Sequence, residues 1–189
     1  MEPLFVYGTL RHLPLLEEVI GATLPAAQRQ EAMIHGYQAR WAEGQAFPLL
    51  VREAGATAAG LLLTGLDAMD MARLNFYEGG FGYHLAPVEV ETGHGTIAAQ
   101  VWFPDADLWH PGAVFDLADW QAKWGEINVA AAAEMMTFFG QRSPEEIARI
   151  YPMIHARAAS RVAAMRAGVS RDPALPGSGF SRADVSEEA

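Results

Sequence analysis

Short apolar runs separated by glycine and proline dominate the chain up to residue 104. Runs of this kind, rich in β-branched and aromatic residues, predict β-strands. The predicted strands are Leu4–Tyr7 and residues 33–41, 48–52, 57–64, 83–91 and 96–103. Six strands of this length favour a small barrel or a curled sheet.

Two helical stretches interrupt these strands. The first covers residues 14–20, and the second begins near Asp67, an acidic residue suited to the N-cap of a helix. Apolar residues Met69, Leu74 and Phe76 follow Asp67 at helical spacing. Strands combined with helices place this part of the chain in the α+β class.

After residue 111 the apolar residues recur at spacings of three and four, the period of an amphipathic helix. One long helix is predicted from Asp116 as its N-cap to Gly140 as its stop. Its apolar positions are Leu117, Trp120, Trp124, Ile127, Ala131, Met135 and Phe138. We expect these side chains to pack against the sheet or a sister helix rather than to line a ligand pocket.

A second C-terminal helix is predicted to begin at Ser143, where Glu146 completes a capping box, and to end before Gly168. Pro152 is expected to kink this helix. Residues 170–189 are rich in serine, proline, glycine and charge, a composition typical of a flexible tail or linker. The predicted organisation is therefore a strand-rich domain over residues 1–110, a helical extension packed on it over 111–169, and a tail.

Charge and composition narrow the classes of function. The formal net charge is -10, which repels nucleic acid, so we expect no nucleic-acid partner. The chain has no cysteine, which excludes disulfides and thiolate chemistry and fits a cytoplasmic protein. We see no leader and no apolar run of the roughly 18 residues that span a bilayer, so no membrane association is expected.

Several common chemistries also find no candidate residues. Every serine lies at or beyond position 143, which leaves the strand-rich part without a serine nucleophile. The six histidines lack the i, i+4 spacing of a helical metal site, so no metal is predicted. The glycine-rich residues 79–82 precede a strand and no P-loop lysine follows them, which argues against a phosphate-binding loop.

After these exclusions two candidate features remain, the carboxylate of Glu78 and the turn at Gly8. Glu78 lies among Phe76, Tyr77, Phe81 and Tyr83, and a partly dry site there would raise its pKa towards the value that a general base needs. The alternative is that Glu78 only ends a helix before Gly79.

In the N-terminal stretch FVYGTLR, Gly8 lets the chain turn directly after a strand. The amides of Gly8, Thr9 and Leu10 are candidates for binding a carboxylate or an oxyanion. A purely structural turn is the alternative, because a strand followed by Gly-Thr occurs in many folds.

These residues together resemble the γ-glutamylcyclotransferase-like family. The resemblance covers about residues 4–104 and rests on motifs that occur in the family's order: Tyr7-Gly8-Thr9-Leu10, Pro48 in FPLLV, the passage GLLLTGLD, Glu78-Gly79 and Tyr83. It implies a small, closed or nearly closed mixed β-barrel flanked by helices, with the pocket built by the YGTL loop and the glutamate.

The resemblance also implies an activity, that of a transferase or lyase acting on a small γ-glutamyl or carboxylate-bearing ligand. In that family a γ-glutamyl amine or peptide is cyclised to 5-oxoproline, and an amine or amino acid is released. Glu78 would be the general base, and Tyr7, Gly8, Thr9, Leu10, Pro48 and Tyr83 would bind the substrate. The reaction calls for no metal and no cofactor.

Departures from the family leave alternatives open. His84 stands where the family commonly has an arginine or lysine, Glu78 follows Tyr77 rather than a more usual leucine or aspartate-containing turn, and the helical pair after Pro111 lies outside the common family core. Similar domains with helical extensions precede a Nudix hydrolase domain in some bacterial proteins. A Nudix domain and a homo-oligomer are therefore both expected as candidate partners. The functional alternatives are a non-catalytic module that binds a small metabolite and an interaction domain that docks through Trp120 and Trp124.

Overall fold

The computed structural model describes residues 2–105 and 108–168. Six β-strands are present in this part of the chain: β1 (Leu4–Tyr7), β2 (Arg29–Ala42), β3 (Pro48–Leu63), β4 (Tyr83–Thr92), β5 (Gly95–Pro104) and β6 (Pro111–Val114). The α-helices are α1 (Leu13–Ile20), α2 (Ala68–Glu78), α3 (Leu117–Trp120), α4 (Glu126–Met136) and α5 (Pro144–Arg166). The predicted α+β class is confirmed, and the predicted tail lies outside the described residues.

Five of the strands close into a barrel. The strand order is β3-β1-β5-β4-β2, and β2 pairs again with β3. The β1–β5 pair is parallel and the other pairs of the barrel are antiparallel. Closure leaves no free strand edge within the barrel. The mixed, closed barrel that the family resemblance implies is confirmed.

Strand β3 corrects the prediction of two separate strands at 48–52 and 57–64. The chain continues as one strand because β2 pairs with it on both sides of a register shift between His35 and Tyr37. Gly36 lies at this shift with a φ of 76°, and Gly55 in β3 has a φ of 79°. Such a bulge bends two long strands without breaking them, so the polar, glycine-containing middle of β3 stays in the sheet.

Strand β6 was not predicted. It pairs with the end of β2, Arg40 with Val114 and Ala42 with Pro111, outside the closed barrel. A run of four residues that contains both proline and glycine has no strand pattern of its own. Its pairing with β2 therefore comes from the tertiary structure and not from local preference.

Helix α2 begins where the sequence predicts. The Asp67 side chain accepts hydrogen bonds from the amides of Met69 and Asp70, and the Asp70 carboxylate accepts one from the Asp67 amide. This reciprocal cap satisfies amides that would otherwise have no partner at the helix start. Helix α2 then runs to Glu78, and a 3-10 turn over Gly79–Phe81 leads into β4.

The first helix of the extension is not continuous as predicted. Helix α3 ends at Trp120, a π-helical turn covers Gln121–Gly125, and α4 ends at Met136, which places Phe138 in a turn. A π-turn inserts one extra residue per turn and rotates the side chains that follow it. The period of the sequence does not reveal such an insertion.

Helix α5 agrees with the prediction. Ser143 and Glu146 form the expected capping box, and Pro152 lies inside the helix. Glu134 of α4 makes ion pairs with Arg157 and Arg161 of α5, which connect the two helices along their exposed side.

The barrel and the helical extension share one hydrophobic core. Buried residues of β1 and α1 pack in the same cluster as buried residues of the extension, which include Trp120, Met135, Ile147 and Ile154. A second cluster, with Phe5 and Val101, fills the barrel interior. None of the helices in the described residues combines the length and the apolar composition that crossing a bilayer requires.

Candidate active site

The turn after β1 is fixed by a close contact between Gly8 and Pro48. Gly8 has a φ of 67°, and a Cβ atom at this position would lie 2.2 Å from Cγ of Pro48. Only glycine satisfies both the left-handed backbone and this spacing. The Tyr83 hydroxyl donates a hydrogen bond of 2.9 Å to the Pro48 carbonyl, so the structure brings Gly8, Pro48 and Tyr83 together.

Glu78 lies at the C-terminal end of α2 and lines the same cavity as the Gly8 turn. The cavity has a volume of about 860 Å³, and the predicted residues Tyr7, Thr9, Leu10, Pro48 and Tyr83 also line it. Gly8 itself is buried behind Pro48. A carboxylate and the turn after β1 therefore face one hollow although they are far apart in the sequence.

Burial raises the pKa of Glu78 to about 7. The charged form of a carboxylate is disfavoured in apolar surroundings, and desolvation is the cause here. Burial also raises the pKa values of Tyr7 and Tyr83 in the barrel, and the charge of Glu78 raises both further. The same two causes raise the pKa of Tyr151 in α5 to about 12. The charge of Glu78 thus raises the pKa values of tyrosines in the barrel and in α5.

The Tyr7 hydroxyl is buried and makes no hydrogen bond of ordinary geometry among the described residues. The Leu50 backbone and the Tyr83 side chain lie close enough to lower its pKa, against the larger effect of burial. A buried hydroxyl that is only weakly bonded costs free energy that a bound ligand can recover, and Tyr7 lines the cavity.

The helical extension supplies a wall of the cavity that the sequence did not indicate. Lining residues from this extension are Trp124 and Asn128 around the π-turn and Ala148, Tyr151, Pro152 and His155 in α5. Gly80 permits this approach, because a Cβ atom there would lie 2.6 Å from the Pro144 carbonyl oxygen.

The aromatic residues of the first C-terminal helix divide between two roles. Trp120 is fully buried, and its Nε1 donates a hydrogen bond of 2.8 Å to the Ala46 carbonyl, as expected for a packing residue. Trp124 instead lines the cavity. Trp124 lies within the π-turn Gln121–Gly125, which shifts its side chain to a different face of the helix from the one that Trp120 occupies.

The segment 44–47 between β2 and β3 is a further part of the site that sequence reasoning missed. These residues line the cavity, and the hydrogen bond from Trp120 to Ala46 attaches the segment to α3. The apolar pattern carries no information about this tertiary contact.

His84, where the family commonly has a basic residue, does not line the cavity. Its Nδ1 lies 2.9 Å from Oδ1 of Asp105, and both side chains are more than half exposed. The expected basic position therefore contributes no charge to the Glu78 site.

Comparison with protein families agrees with this fold and this arrangement of motifs. The family model of gamma-glutamyl cyclotransferase, AIG2-like, matches residues 4–122. The chain belongs to this family. The gamma-glutamyl cyclotransferase match ends inside the π-turn, so Tyr151 and His155 of the cavity lie beyond it.

Several solved structures are similar to this chain. At5g39720.1 from Arabidopsis thaliana is 16% identical with a TM-score of 0.52, over 75% of this chain and 94% of that chain. At3g28950.1 from the same plant is 18% identical with a TM-score of 0.51, over 96% of this chain and 95% of that chain. An AIG2-like protein from Mus musculus is 16% identical with a TM-score of 0.45, over 61% and 88%. No curated protein sequence matches the chain.

Proposed function

We propose that this protein is a γ-glutamylcyclotransferase that converts a γ-glutamyl amine or peptide into 5-oxoproline. The observation that carries the proposal is the position of Glu78, which lies half-buried in the cavity that the turn after β1 also lines, with a pKa of about 7. Membership of the gamma-glutamyl cyclotransferase family supports it.

In this reaction Glu78 removes a proton from the α-ammonium of the substrate. The free amine then attacks the γ-carbonyl carbon of the same molecule and forms the C–N bond of a five-membered ring. The ring nitrogen then loses its second proton, and the bond between the γ-carbonyl carbon and the leaving nitrogen breaks. Glu78 passes both protons in turn from the attacking nitrogen to the leaving nitrogen, so the lactam N–H is neutral and the amine departs as an ammonium. Since the attacking and attacked groups belong to one molecule, holding the substrate in a bent conformation lowers the barrier.

The raised pKa of Glu78 matches the task. An α-amino group has a pKa of about 8, so a base with a pKa of about 7 accepts its proton at a cost of about 1.4 kcal/mol. An exposed glutamate with a pKa of about 4.3 would face a cost of about 5 kcal/mol. Burial of Glu78 therefore removes most of the energetic mismatch between base and substrate.

The turn after β1 is suited to bind negative charge. In a 3-10 turn each amide bonds to the carbonyl three residues before it. In the turn Gly8–Arg11 the amides of Gly8 and Thr9 therefore have no partner within the turn, whereas the Leu10 amide faces the carbonyl of Tyr7. We assign the amides of Gly8 and Thr9 to the α-carboxylate of the substrate or to the oxyanion of the tetrahedral intermediate. Tyr7 offers its weakly bonded hydroxyl, while Pro48 and Tyr83 hold the turn in place.

A panel of γ-glutamyl amines and dipeptides, assayed for 5-oxoproline, tests the proposal. We expect turnover by the wild-type protein and a loss of about 10²- to 10⁴-fold in kcat/KM for Glu78→Gln. Glu89→Gln, the same change at an exposed position of β4, is the control and should retain activity.

Two results would contradict the proposal: no 5-oxoproline from any member of the panel, or equal turnover by Glu78→Gln and the wild-type protein. Thermal stabilisation by these compounds without turnover would instead support the non-catalytic binding module.

A further inference from the structure

The wall of the cavity that the helical extension supplies is aromatic and continuous with the turn after Glu78. Phe81 of that turn meets Tyr151 of α5 edge to face, with ring centroids 4.9 Å apart and planes at 84°. His155 lies 6.0 Å from both Tyr151 and Trp124. On the other side of Phe81, the Phe47 ring lies 6.2 Å away. Ring contacts of this kind form a fixed apolar surface.

This aromatic wall stands on rigid elements. Tyr151 and His155 lie one helical turn apart on α5, and the Tyr151 hydroxyl donates a hydrogen bond of 3.3 Å to Oδ1 of the buried Asn128. The side-chain amide of Asn128 donates a hydrogen bond of 3.0 Å from its Nδ2 to the Trp124 carbonyl. A binding surface that is held this way loses little entropy when it takes a ligand.

The wall also favours uncharged groups. Burial lowers the pKa of His155, which keeps its imidazole neutral at pH 7, and burial raises the pKa of Tyr151 to about 12. Among the described residues that line the cavity, Glu78 is the only carboxylate, and none is lysine or arginine. A second carboxylate on a ligand, beyond the one that the turn after β1 binds, would meet the charge of Glu78 with no lysine or arginine of the lining to offset it, which is costly.

We propose that the helical extension forms the subsite for the leaving amine, and that Tyr151, Trp124 and Phe81 select γ-glutamyl amides whose amine part is aromatic and carries no carboxylate. This inference rests on the proposed function. Once the turn after β1 binds the glutamyl carboxylate and Glu78 faces the α-amine, the rest of the substrate has the aromatic wall to contact.

Two matched substrate pairs test the selection in the full-length protein. γ-Glutamyl phenethylamide and γ-glutamylphenylalanine differ by one carboxylate, and γ-glutamyl phenethylamide and γ-glutamyl ethylamide differ by one phenyl ring. We expect kcat/KM for the phenethylamide to exceed that of each counterpart by at least about tenfold. A γ-glutamyl 4-aminobutylamide, whose amine part is cationic, should also be slower than the phenethylamide, because Glu78 is occupied by the α-amine and the aromatic wall has no carboxylate to pair with a second ammonium.

Variants distinguish the subsite from a structural role of the same residues. Tyr151→Leu and Trp124→Leu should reduce the preference for the phenethylamide over the ethylamide by about tenfold, whereas a loss of folding would lower both rates together. Tyr151→Phe keeps the ring and should keep the preference. Met153→Ala, at a 55% exposed position of α5 that does not line the cavity, is the control.

The proposed selection is overturned if γ-glutamylphenylalanine or the aminobutylamide is a better substrate than the phenethylamide. It is also overturned if Tyr151→Leu and Trp124→Leu leave the preference unchanged. In either case the cyclotransferase proposal stands without the subsite. If no compound yields 5-oxoproline, titration calorimetry of the phenethylamide with Glu78→Gln tests whether the subsite binds the aromatic amine. Binding that Tyr151→Leu weakens would support the subsite although the catalytic proposal has failed. No binding would overturn both.

Discussion

At the scale of single residues, Gly8 is the position where sequence and structure constrain each other most tightly. Gly8→Ala would place a Cβ atom 2.2 Å from Pro48 in a left-handed backbone. We expect a loss of about 2–4 kcal/mol in the free energy of unfolding, because strain and overpacking add. Urea denaturation measures it.

Gly36→Ala is the matched control for Gly8. Gly36 has a φ of 76°, but a Cβ atom there would meet nothing within 4 Å. This variant should show only the backbone penalty of about 1–2 kcal/mol. Equal losses in the two variants would mean that the contact with Pro48 contributes nothing.

Glu78 should make the stability of the protein depend on pH. Its folded-state pKa of about 7 exceeds the value of about 4.3 expected in the unfolded chain. Between these two values the folded protein holds a proton that the unfolded chain has lost, so this group makes stability fall as pH rises and reaches its full cost above pH 7.

Glu78→Gln removes this cost. We expect the variant to be more stable than the wild-type protein at pH 8, by at most about 4 kcal/mol, and the difference to vanish near pH 4. Denaturant unfolding at several pH values measures it, with Glu89→Gln as the exposed control. If Glu78→Gln is no more stable than the wild-type protein at pH 8, the burial of this carboxylate is contradicted.

At the scale of elements, the N-terminus of α5 determines where Tyr151 lies. Ser143→Ala removes the side chain that caps the amide of Glu146, and it should cost about 1 kcal/mol of stability. Ser160→Ala, at an exposed position within the same helix, should be neutral or slightly stabilising, because alanine is the better helix former. Thermal unfolding of both variants checks the difference, and equal behaviour would argue against the cap.

The sequence predicts elements well where local chemistry determines them. The caps at Asp67 and Ser143 mark the starts of α2 and α5 correctly because the capping side chain and the amides it binds are neighbours in the chain. The continuity of β3 is not predictable in this way, since residues 53–56 have no partner on β2 and stay in the strand only because β2 pairs with β3 on both sides of them.

The residues of the candidate site also divide into those that the local sequence identifies and those that only the tertiary packing places. Tyr7, Gly8, Pro48, Glu78 and Tyr83 are found from the sequence because they stand in motifs of recognisable order. Trp124 and Tyr151 have the spacing of ordinary core residues, and they line the cavity because of a π-turn and the contact between Gly80 and Pro144. Only the packing of the helices on the barrel reveals them.

At the scale of the whole molecule, the shared core predicts that the barrel and the helical extension unfold together. Two of the five tryptophans, Trp120 and Trp124, lie in the extension and three precede it, so a variant in which Trp41, Trp102 and Trp109 are phenylalanine reports on the extension by fluorescence, and far-ultraviolet circular dichroism reports on all elements. We expect both signals to give the same denaturation midpoint, because one buried cluster joins the two parts. A separate, earlier transition in the fluorescence of this variant would show that the extension is an independent unit.

The environment of Glu78 has a consequence for product release in the proposed reaction. The substrate enters with an ammonium group that offsets the negative charge of the glutamate. Ring closure turns that ammonium into a neutral lactam N–H, so the product keeps its carboxylate but no longer carries a compensating cation. The carboxylates of 5-oxoproline and Glu78 then repel each other in the largely apolar cavity, so the reaction itself lowers the affinity of the site for its product.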